Sequence, residues 1–282
     1  MNAKVDLGQY KPIGARPPML EYIKGLWARR YFIQRESKAK AYGSIKDTAL
    51  GTAWLILSPF LNAAVYYVIF GVLLGFSQSR AGFVGYLVVG VTFFQFLTNQ
   101  FGGATNIITN GRNLIRAFSF PRASLVFSFT LRNLYDFLPT LYATILFIVI
   151  VPPHSLPYWT WLLFPLAFAI ALPFGLGLAF FTSAMTTLVP DLKFIWPVIT
   201  RFWFYGSGVI WAIEQFQGHH KVVAVMQINP GWQFLELCRE LLVYNRLPHA
   251  WLWYSFTTWS LMTFIIGFVL FWYNEEKLSN VK

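Results

Sequence analysis

Long uncharged runs alternate with short charged ones along this chain. No Asp, Glu, Lys or Arg occurs from Thr48 to Ser79, from Ala81 to Gly111 or from Phe137 to Pro190. Each run exceeds the ~20 residues that a helix needs to cross hydrocarbon. The pattern predicts six membrane spans. The first is Ala49–Leu74, kinked at Pro59; the second is Phe83–Ala104 and the third Ala123–Val151. Pro152-Pro153 divides the longest run, because proline ends a helix, and Trp159–Val189 follows as the fourth span with Pro165 and Pro173 inside it. Asp191 and Lys193 mark a turn, Phe194–Ile213 is the fifth span and Ala250–Tyr273 the sixth.

Two further segments have a different pattern. Met1–Gln9 reads as a loose tail, and Pro12, Pro17 and Pro18 lead into Met19–Arg35. There Leu20, Ile23, Leu26, Trp27, Tyr31 and Phe32 fall near one face at helical spacing, with Lys24, Arg29, Arg30 and Arg35 elsewhere. That predicts an amphipathic helix in the membrane interface, or else a solvated helix packed on a soluble partner. Ser37–Asp47 follows as a basic connector. Gln215–Pro248 is broken by Gly218 and Pro230-Gly231 and holds Glu236, Arg239 and Glu240. It is too polar for an ordinary span and predicts a pair of short re-entrant helices, since irregular backbone at membrane depth must be buried in protein or line a cavity. The expected fold class is an all-α membrane protein.

Composition supports this. Of the 282 residues, 56% are hydrophobic and 12% charged, against about 25% charged in soluble domains; the mean hydropathy is +0.51. No short apolar segment with a small-residue cleavage site opens the chain, so no removable signal peptide is expected. The single cysteine, Cys238, excludes an intrachain disulfide and a cysteine-built zinc site.

The net charge of +11 is dispersed around the spans, which argues against nucleic acid and for orientation by positive residues. Six spans put both termini on one side. With the N-terminus inside, the cytoplasmic segments hold 16 Lys and Arg and the outer ones four, Arg80, Lys221, Arg239 and Arg246. Both termini are therefore expected in the cytoplasm. Residues 1–48 form a cytoplasmic N-terminus with the interface helix, 49–273 the six-helix domain and 274–282 a cytoplasmic tail, with Glu275-Glu276-Lys277 in water. Asn110–Arg122 falls on the same side, short, basic and without an acid.

Candidate chemistry is sparse. No Gly-x-x-x-x-Gly-Lys-Ser/Thr occurs, so the chain cannot cradle nucleotide phosphates in the P-loop manner. No His-Glu-x-x-His or Gly-x-Ser-x-Gly occurs either, so no catalytic residue is assigned. His219-His220 reads as an exposed loop rather than a metal site. Arg132 and Asp136 share a helical face and read as a self-neutralising ion pair or as a proton-relay pair, since charges inside spans face a bundle interior or a wet cavity. Arg201 falls near the cytoplasmic end of the fifth span, to snorkel or to meet an anionic headgroup bidentately. Aromatics make up 20% of the chain. Two groups stand out as surfaces for sugar rings: Tyr66, Tyr67 and Phe70, and Trp203, Phe204 and Tyr205 with Trp211.

Several stretches together resemble one family. Arg35 through Ser44, Leu50-Gly51-Thr52-Ala53-Trp54 and Ser58-Pro59-Phe60 resemble the entry to the first span of polysaccharide-exporting ABC permeases. These are type-2 permeases that export O-antigen, teichoic acid, capsule or galactan chains on lipid carriers. Asn113-Leu114 through Phe120-Pro121-Arg122, Asp191-Leu192-Lys193, Ser207-Gly208-Val209-Ile210-Trp211, and Asn229-Pro230-Gly231 through Glu236, Arg239 and Glu240 resemble further motifs of that family, in order and at its spacing over about Met19–Tyr273. Ser58 stands where the family has Asn, Pro190 where it has Arg, and Gly208 where it has Pro.

The resemblance implies a homodimer with two copies of a separate cytoplasmic ABC ATPase, which would hold the ATP and Mg; this chain itself would carry no cofactor or metal. It implies a lipid-linked polysaccharide as substrate and a bacterial or archaeal plasma (inner) membrane as location. The loop between the second and third spans would be the helix that couples to the ATPase, with Asn110, Arg112, Asn113, Leu114 and Arg116 as its docking residues. Arg29, Arg30 and Arg35, with Arg201, would meet the lipid headgroup, and the two aromatic groups would line the channel. Asn229, Pro230, Glu236, Arg239 and Glu240 would form a re-entrant gate. Two rivals remain: a permease of the same kind for a drug or small lipid, and a membrane carrier or glycosyltransferase needing no ATPase.

Overall fold

The computed structural model describes residues 17–43, 51, 53–73, 75, 82–117, 121–150, 156–216 and 218–279. Every regular element among them is helical, so the all-α membrane architecture holds. In chain order, α1 is Met19–Ala28, α2 Arg30–Gly43, and α3 Ala53–Tyr66, which runs on as a π-helical turn, Tyr67–Leu73. α4 is Phe83–Gly102, extended by a 3-10 turn, Gly103–Asn106, into α5, Ile107–Asn110. α6 is Arg112–Ala117, α7 Ala123–Ile150, α8 Phe164–Leu188 and α9 Leu192–Gly206. α10 (His220–Ile228) and α11 (Pro230–Leu242) precede α12 (Ala250–Tyr273) and α13 (Glu275–Ser279).

Among the described residues, four helical segments are long and apolar enough to cross a membrane: Phe83–Asn110, Ala123–Ile150, Trp159–Leu188 and Ala250–Tyr273. They correspond to the second, third, fourth and sixth expected spans. The other two are shorter: α3 has 14 residues and α9 has 15. α3 is helical through position 59, and the π-helical turn Tyr67–Leu73 follows it.

The fifth span was expected to reach Ile213, but helix stops at Gly206. Gly208 has φ +61°, a left-handed value that proline cannot adopt, and this is a position where the resembled family has Pro. The expected interface helix is two helices. α1 gives way to α2 at Arg29, and α2 runs on to Gly43 through what had been read as a connector. Tyr22 and Leu26 face the bundle, while Leu20, Ile23, Trp27 and Tyr31 are exposed.

α8 and α12 pack most extensively. A Cβ on Gly177 would collide with the Thr263 carbonyl, and one on Gly267 with the Gly177 carbonyl. Small residues let membrane helices approach backbone to backbone and gain dispersion contact. In the same seam the Ser260 hydroxyl donates to the Ile170 carbonyl at 2.6 Å. An aromatic core ties four helices: Phe93 of α4 meets Phe137 of α7, Phe164 of α8 and Phe234 of α11 at 5.4–6.0 Å, and Phe137 stacks on Phe168. α11 is sunk into the bundle, with ten of its 13 residues buried. The outer surfaces of α3, α9 and α12 are rich in exposed Leu, Ile, Val and Phe, which suits a lipid surround or a partner helix.

Candidate functional site

α4 carries polar side chains along one stripe. Gln95, Thr98 and Asn99 fall at helical spacing on a face away from the buried Phe93, and Asn106 follows in the 3-10 turn after α4. The stripe faces α3 and α9 across an open groove of about 760 Å³. Asn62 and Tyr66 line it from α3, and Lys193, Thr200, Arg201, Phe204 and Tyr205 line it from α9. Gln95 Nε2 donates to Asn99 Oδ1 at 2.7 Å. Polar groups at membrane depth face a wet cavity because hydrocarbon leaves them unsatisfied. Aromatic rings form a ladder along the groove. Tyr66 and Phe204 lie 5.4 Å apart, Phe204 and Tyr205 5.3 Å, and Tyr205 stacks on Trp211 at 5.8 Å.

The structure thus brings Tyr66, Phe204, Tyr205 and Arg201 together. It turns Trp203 the other way, into the core against Phe94 at 5.0 Å. Tyr67 packs against the core and does not line the groove, and the Phe70 side chain lies outside the described residues. Arg201 sits within α9, more than two turns from its start, rather than at a helix end. It does not join the other cations proposed for a headgroup. Arg30 packs on Tyr31 and Trp27, with 4.4 and 5.4 Å to the ring centres. It borders an apolar recess of about 590 Å³ between α1, α7 and α12. Arg29 and Arg35 are exposed. Asn62, Gln95 and Asn99 were missed by sequence reasoning, although amides at i, i+4 inside an uncharged run were the available signal.

Within Asn110–Arg122, the described residues 110–117 are the end of α5 and the short helix α6, joined at Gly111. Asn110 ends α5, Arg112, Asn113, Leu114 and Arg116 lie on α6, and a Cβ on Gly111 would collide with Leu125. Asn110 and Asn113 are exposed, and Arg112 and Leu114 are half-buried. The Arg116 side chain and Phe120 lie outside the described residues. The segment returns through Pro121, which packs against Gly25 of α1.

Beside that return is a buried junction. The Tyr22 hydroxyl donates to Glu275 Oε2 at 2.7 Å and accepts from the Ala123 amide at 3.1 Å. The Arg122 amide and Nη1 donate to Glu275 Oε1 at 3.0 and 3.1 Å. The sequence pattern places Glu275 in water; it is 2% exposed, because these donors replace the solvent it loses. Burial pushes its carboxyl above the ordinary 4.5, against the Arg122 and Tyr22 hydrogen bonds that pull it down. Burial and the Glu275 charge push the Tyr22 phenol up, so it stays a donor. One cluster therefore joins α1, the exit of the 110–122 segment and the end of α12.

The hairpin α10–α11 is fastened to the end of α9. Asn229 caps α11, accepting from the Gly231 amide at 2.9 Å, and Pro230 occupies the first turn, where its missing N–H costs nothing. The same Asn229 oxygen accepts from Trp203 Nε1 at 2.9 Å, and its Nδ2 donates to the Gly206 carbonyl at 3.0 Å. The charge count places Arg239 on the outer side, yet its side chain is fully buried. Its Nη2 donates to the Gly208 and Val209 carbonyls at 3.0 and 3.1 Å, and its guanidinium lies 3.4 Å from the Tyr86 ring centre. The carbonyls past the end of α9 satisfy Nη2, while Nε and Nη1 have no hydrogen-bond partner among the described residues, and a cation over a ring face adds attraction. The Tyr86 hydroxyl lies 2.7 and 2.9 Å from the Gly208 and Trp211 carbonyls and donates its one proton between them. Glu236 approaches Arg239 at 4.0 Å, and Glu240 is half-buried on the same helix. Arg132 and Asp136 form an ion pair at 3.4 Å within α7. His219 and His220 are exposed at the start of α10.

A family model described as ABC-2 type transporter matches residues 34–243. The chain is also similar to the O-antigen export system permease protein RfbA of Myxococcus xanthus, with 27% identity over 236 residues, 82% of this chain and 88% of that protein.

Proposed function

The chain belongs to the ABC-2 type transporter family, and from that premise we propose that it is the membrane subunit of an ATP-driven exporter of a lipid-linked polysaccharide. Families of this kind supply the membrane-spanning subunit and not the catalytic ATPase. The observation that carries the substrate reading is the groove between α3, α4 and α9, which is lined by amides and an aromatic ladder. Amides satisfy sugar hydroxyls, and ring faces slide along the apolar side of a pyranose. The similarity to an O-antigen export permease points the same way.

In this reading two copies of the chain associate, and the exposed apolar faces of α3 and α9 meet their counterparts so that two grooves close into one channel. Six helices span the plasma membrane, α3 and α9 being the two short ones, with both termini in the cytoplasm. With Arg239 buried, three Lys and Arg remain on the outer side, Arg80, Lys221 and Arg246, against 16 inside. That sharpens the asymmetry behind the orientation. Residues 1–48 are the cytoplasmic N-terminus, 49–273 the channel domain and 274–282 the tail.

A polyprenyl-diphosphate carrier enters at the apolar recess bordered by Arg30, its phosphates drawn by Arg29, Arg30 and Arg35 through charge-assisted hydrogen bonds. Arg201 meets the chain inside the groove. The hairpin of Asn229, Pro230, Glu236, Arg239 and Glu240 forms the outer gate. Two copies of a separate ATPase hold ATP and Mg and press on Asn110, Arg112, Asn113, Leu114 and Arg116. The buried Tyr22–Arg122–Glu275 junction passes that push to α1 and α12. The apolar recess also favours a second reading, export of a small lipid by the same machinery.

Replacing Arg112 and Arg116 by Glu tests the docking assignment. The variant is expected in the membrane at wild-type level and without export. Unchanged export refutes it.

A further inference from the structure

We propose that a small cavity beside the groove binds one neutral sugar unit of the transported chain; this rests on reading the groove as a saccharide path. The cavity, of about 330 Å³, lies between α3, α4 and α7. Asn62, Gln95 and Asn99 line both it and the groove, so the two spaces share a wall of amides. Trp54, Thr92 and Asp136 are among the other residues that line it. Thr92 is 1% exposed, and its hydroxyl has no hydrogen-bond partner among the described residues. A buried hydroxyl left unmade is costly, and a ligand in the cavity supplies the missing partner.

The class of ligand follows from the charges. Asp136 is already paired with Arg132 at 3.4 Å, so the cavity offers a carboxylate acceptor with little net charge. A phosphate meets that carboxylate and is repelled. A metal ion meets a carboxylate whose charge is spoken for. A lipid chain desolvates the amides and returns nothing. A neutral, hydroxyl-rich molecule is matched on both counts, because the amides both donate and accept while the carboxylate and hydroxyl complete the set. The Trp54 indole gives the ring a flat apolar face. The volume suits a single pyranose and not a run of them. A chain passing along the groove is then held whenever a unit of the right shape swings into the cavity, which makes the cavity a selector for the repeating unit.

Saturation-transfer NMR on the purified chain in lipid nanodiscs, with glucose, galactose, mannose, rhamnose and N-acetylglucosamine as separate probes, tests this. At least one sugar is expected to show transfer, weakened about tenfold by Thr92→Val and by Asp136→Asn, the loss of roughly one hydrogen bond. Thr92→Val is expected to melt no lower than wild type, because the hydroxyl has no partner among the described residues. Transfer unchanged in both variants but lost in Phe204→Ala or Tyr205→Ala overturns the cavity and leaves the exporter reading standing. Transfer from no sugar in the wild type overturns the cavity as a sugar site, whereas the exporter reading falls only if depleting the chain leaves export unchanged. Melting raised by sodium chloride through Asp136, and by no sugar, overturns the sugar assignment in favour of a cation.

Discussion

Replacing Glu275 by alanine removes the acceptor at the centre of the buried junction. Three donors lose it: the Tyr22 hydroxyl, the Arg122 amide and Arg122 Nη1, at 2.7, 3.0 and 3.1 Å. Nη1 keeps one acceptor, the Glu275 carbonyl at 3.2 Å, which alanine retains. An orphaned buried donor costs about 1–3 kcal/mol, and breaking one partner of a buried ion pair costs about 3–5 kcal/mol. The Tyr22 hydroxyl and the Arg122 amide are the two donors left without an acceptor, so both routes centre on about 4 kcal/mol, and at roughly 2–4 °C per kcal/mol for a chain of this size that lowers the melting temperature by about 10 °C. Glu275→Gln keeps one acceptor oxygen for the Arg122 amide and Nη1 but sets an NH2 donor where Oε2 accepts from the Tyr22 hydroxyl; its expected cost is about 2 kcal/mol, smaller than that of the alanine. The assay is thermal melting of the three proteins purified in nanodiscs, followed by size-exclusion recovery. Glu275→Ala melting with the wild type, or Glu275→Gln melting as low as Glu275→Ala, refutes the junction as a hydrogen-bonded tie.

Three further outcomes are expected. Glu275 has a raised folded pKa, so between the ordinary 4.5 and that value the folded chain binds more protons than the unfolded one. Stability from this group therefore falls as pH rises through that window, and melting scans should show the fall in wild type and its loss in Glu275→Gln. Gly90→Ala places a Cβ 2.5 Å from Arg239 Nη2 and 2.7 Å from the Val209 carbonyl oxygen; overpacking there should cost about 1–3 kcal/mol in a melt. Gly177→Ala drives a Cβ into the Thr263 backbone, where no side chain can yield, and is expected to lower membrane-resident protein on a blot more than Gly90→Ala does.

What could be read from the sequence was what depends on neighbouring positions. Charge-free runs mark the spans because hydrocarbon excludes charge, whatever the fold around them. Arg132 and Asp136 pair because one helix turn separates them. The interruption of Gln215–Pro248 by polar residues foretold two short helices. The fate of single charges was not legible. Arg239 is held by carbonyls at Gly208 and Val209, freed only because the helix stops at Gly206, which the apolar run of residues 207–213 disguised. Glu275 is buried by Tyr22, 253 positions away, and no local pattern in a Glu-Glu-Lys tail reveals that. In the groove, the aromatic types gave Tyr66, Phe204 and Tyr205, but Trp203 lies on another face of the same helix. Asn62, Gln95 and Asn99 were passed over because uncharged amides do not interrupt a hydrophobic run.

The central claim is that this chain carries a lipid-linked glycan outward under power from a separate ATPase. Depleting it in its host, with the lipid-linked glycans of each membrane face then identified by mass spectrometry, tests that most directly. The account predicts one lipid-linked polysaccharide accumulating on the cytoplasmic face, with the same accumulation when the ATPase is depleted instead. Glycan reaching the outer face at its normal rate without this chain contradicts it.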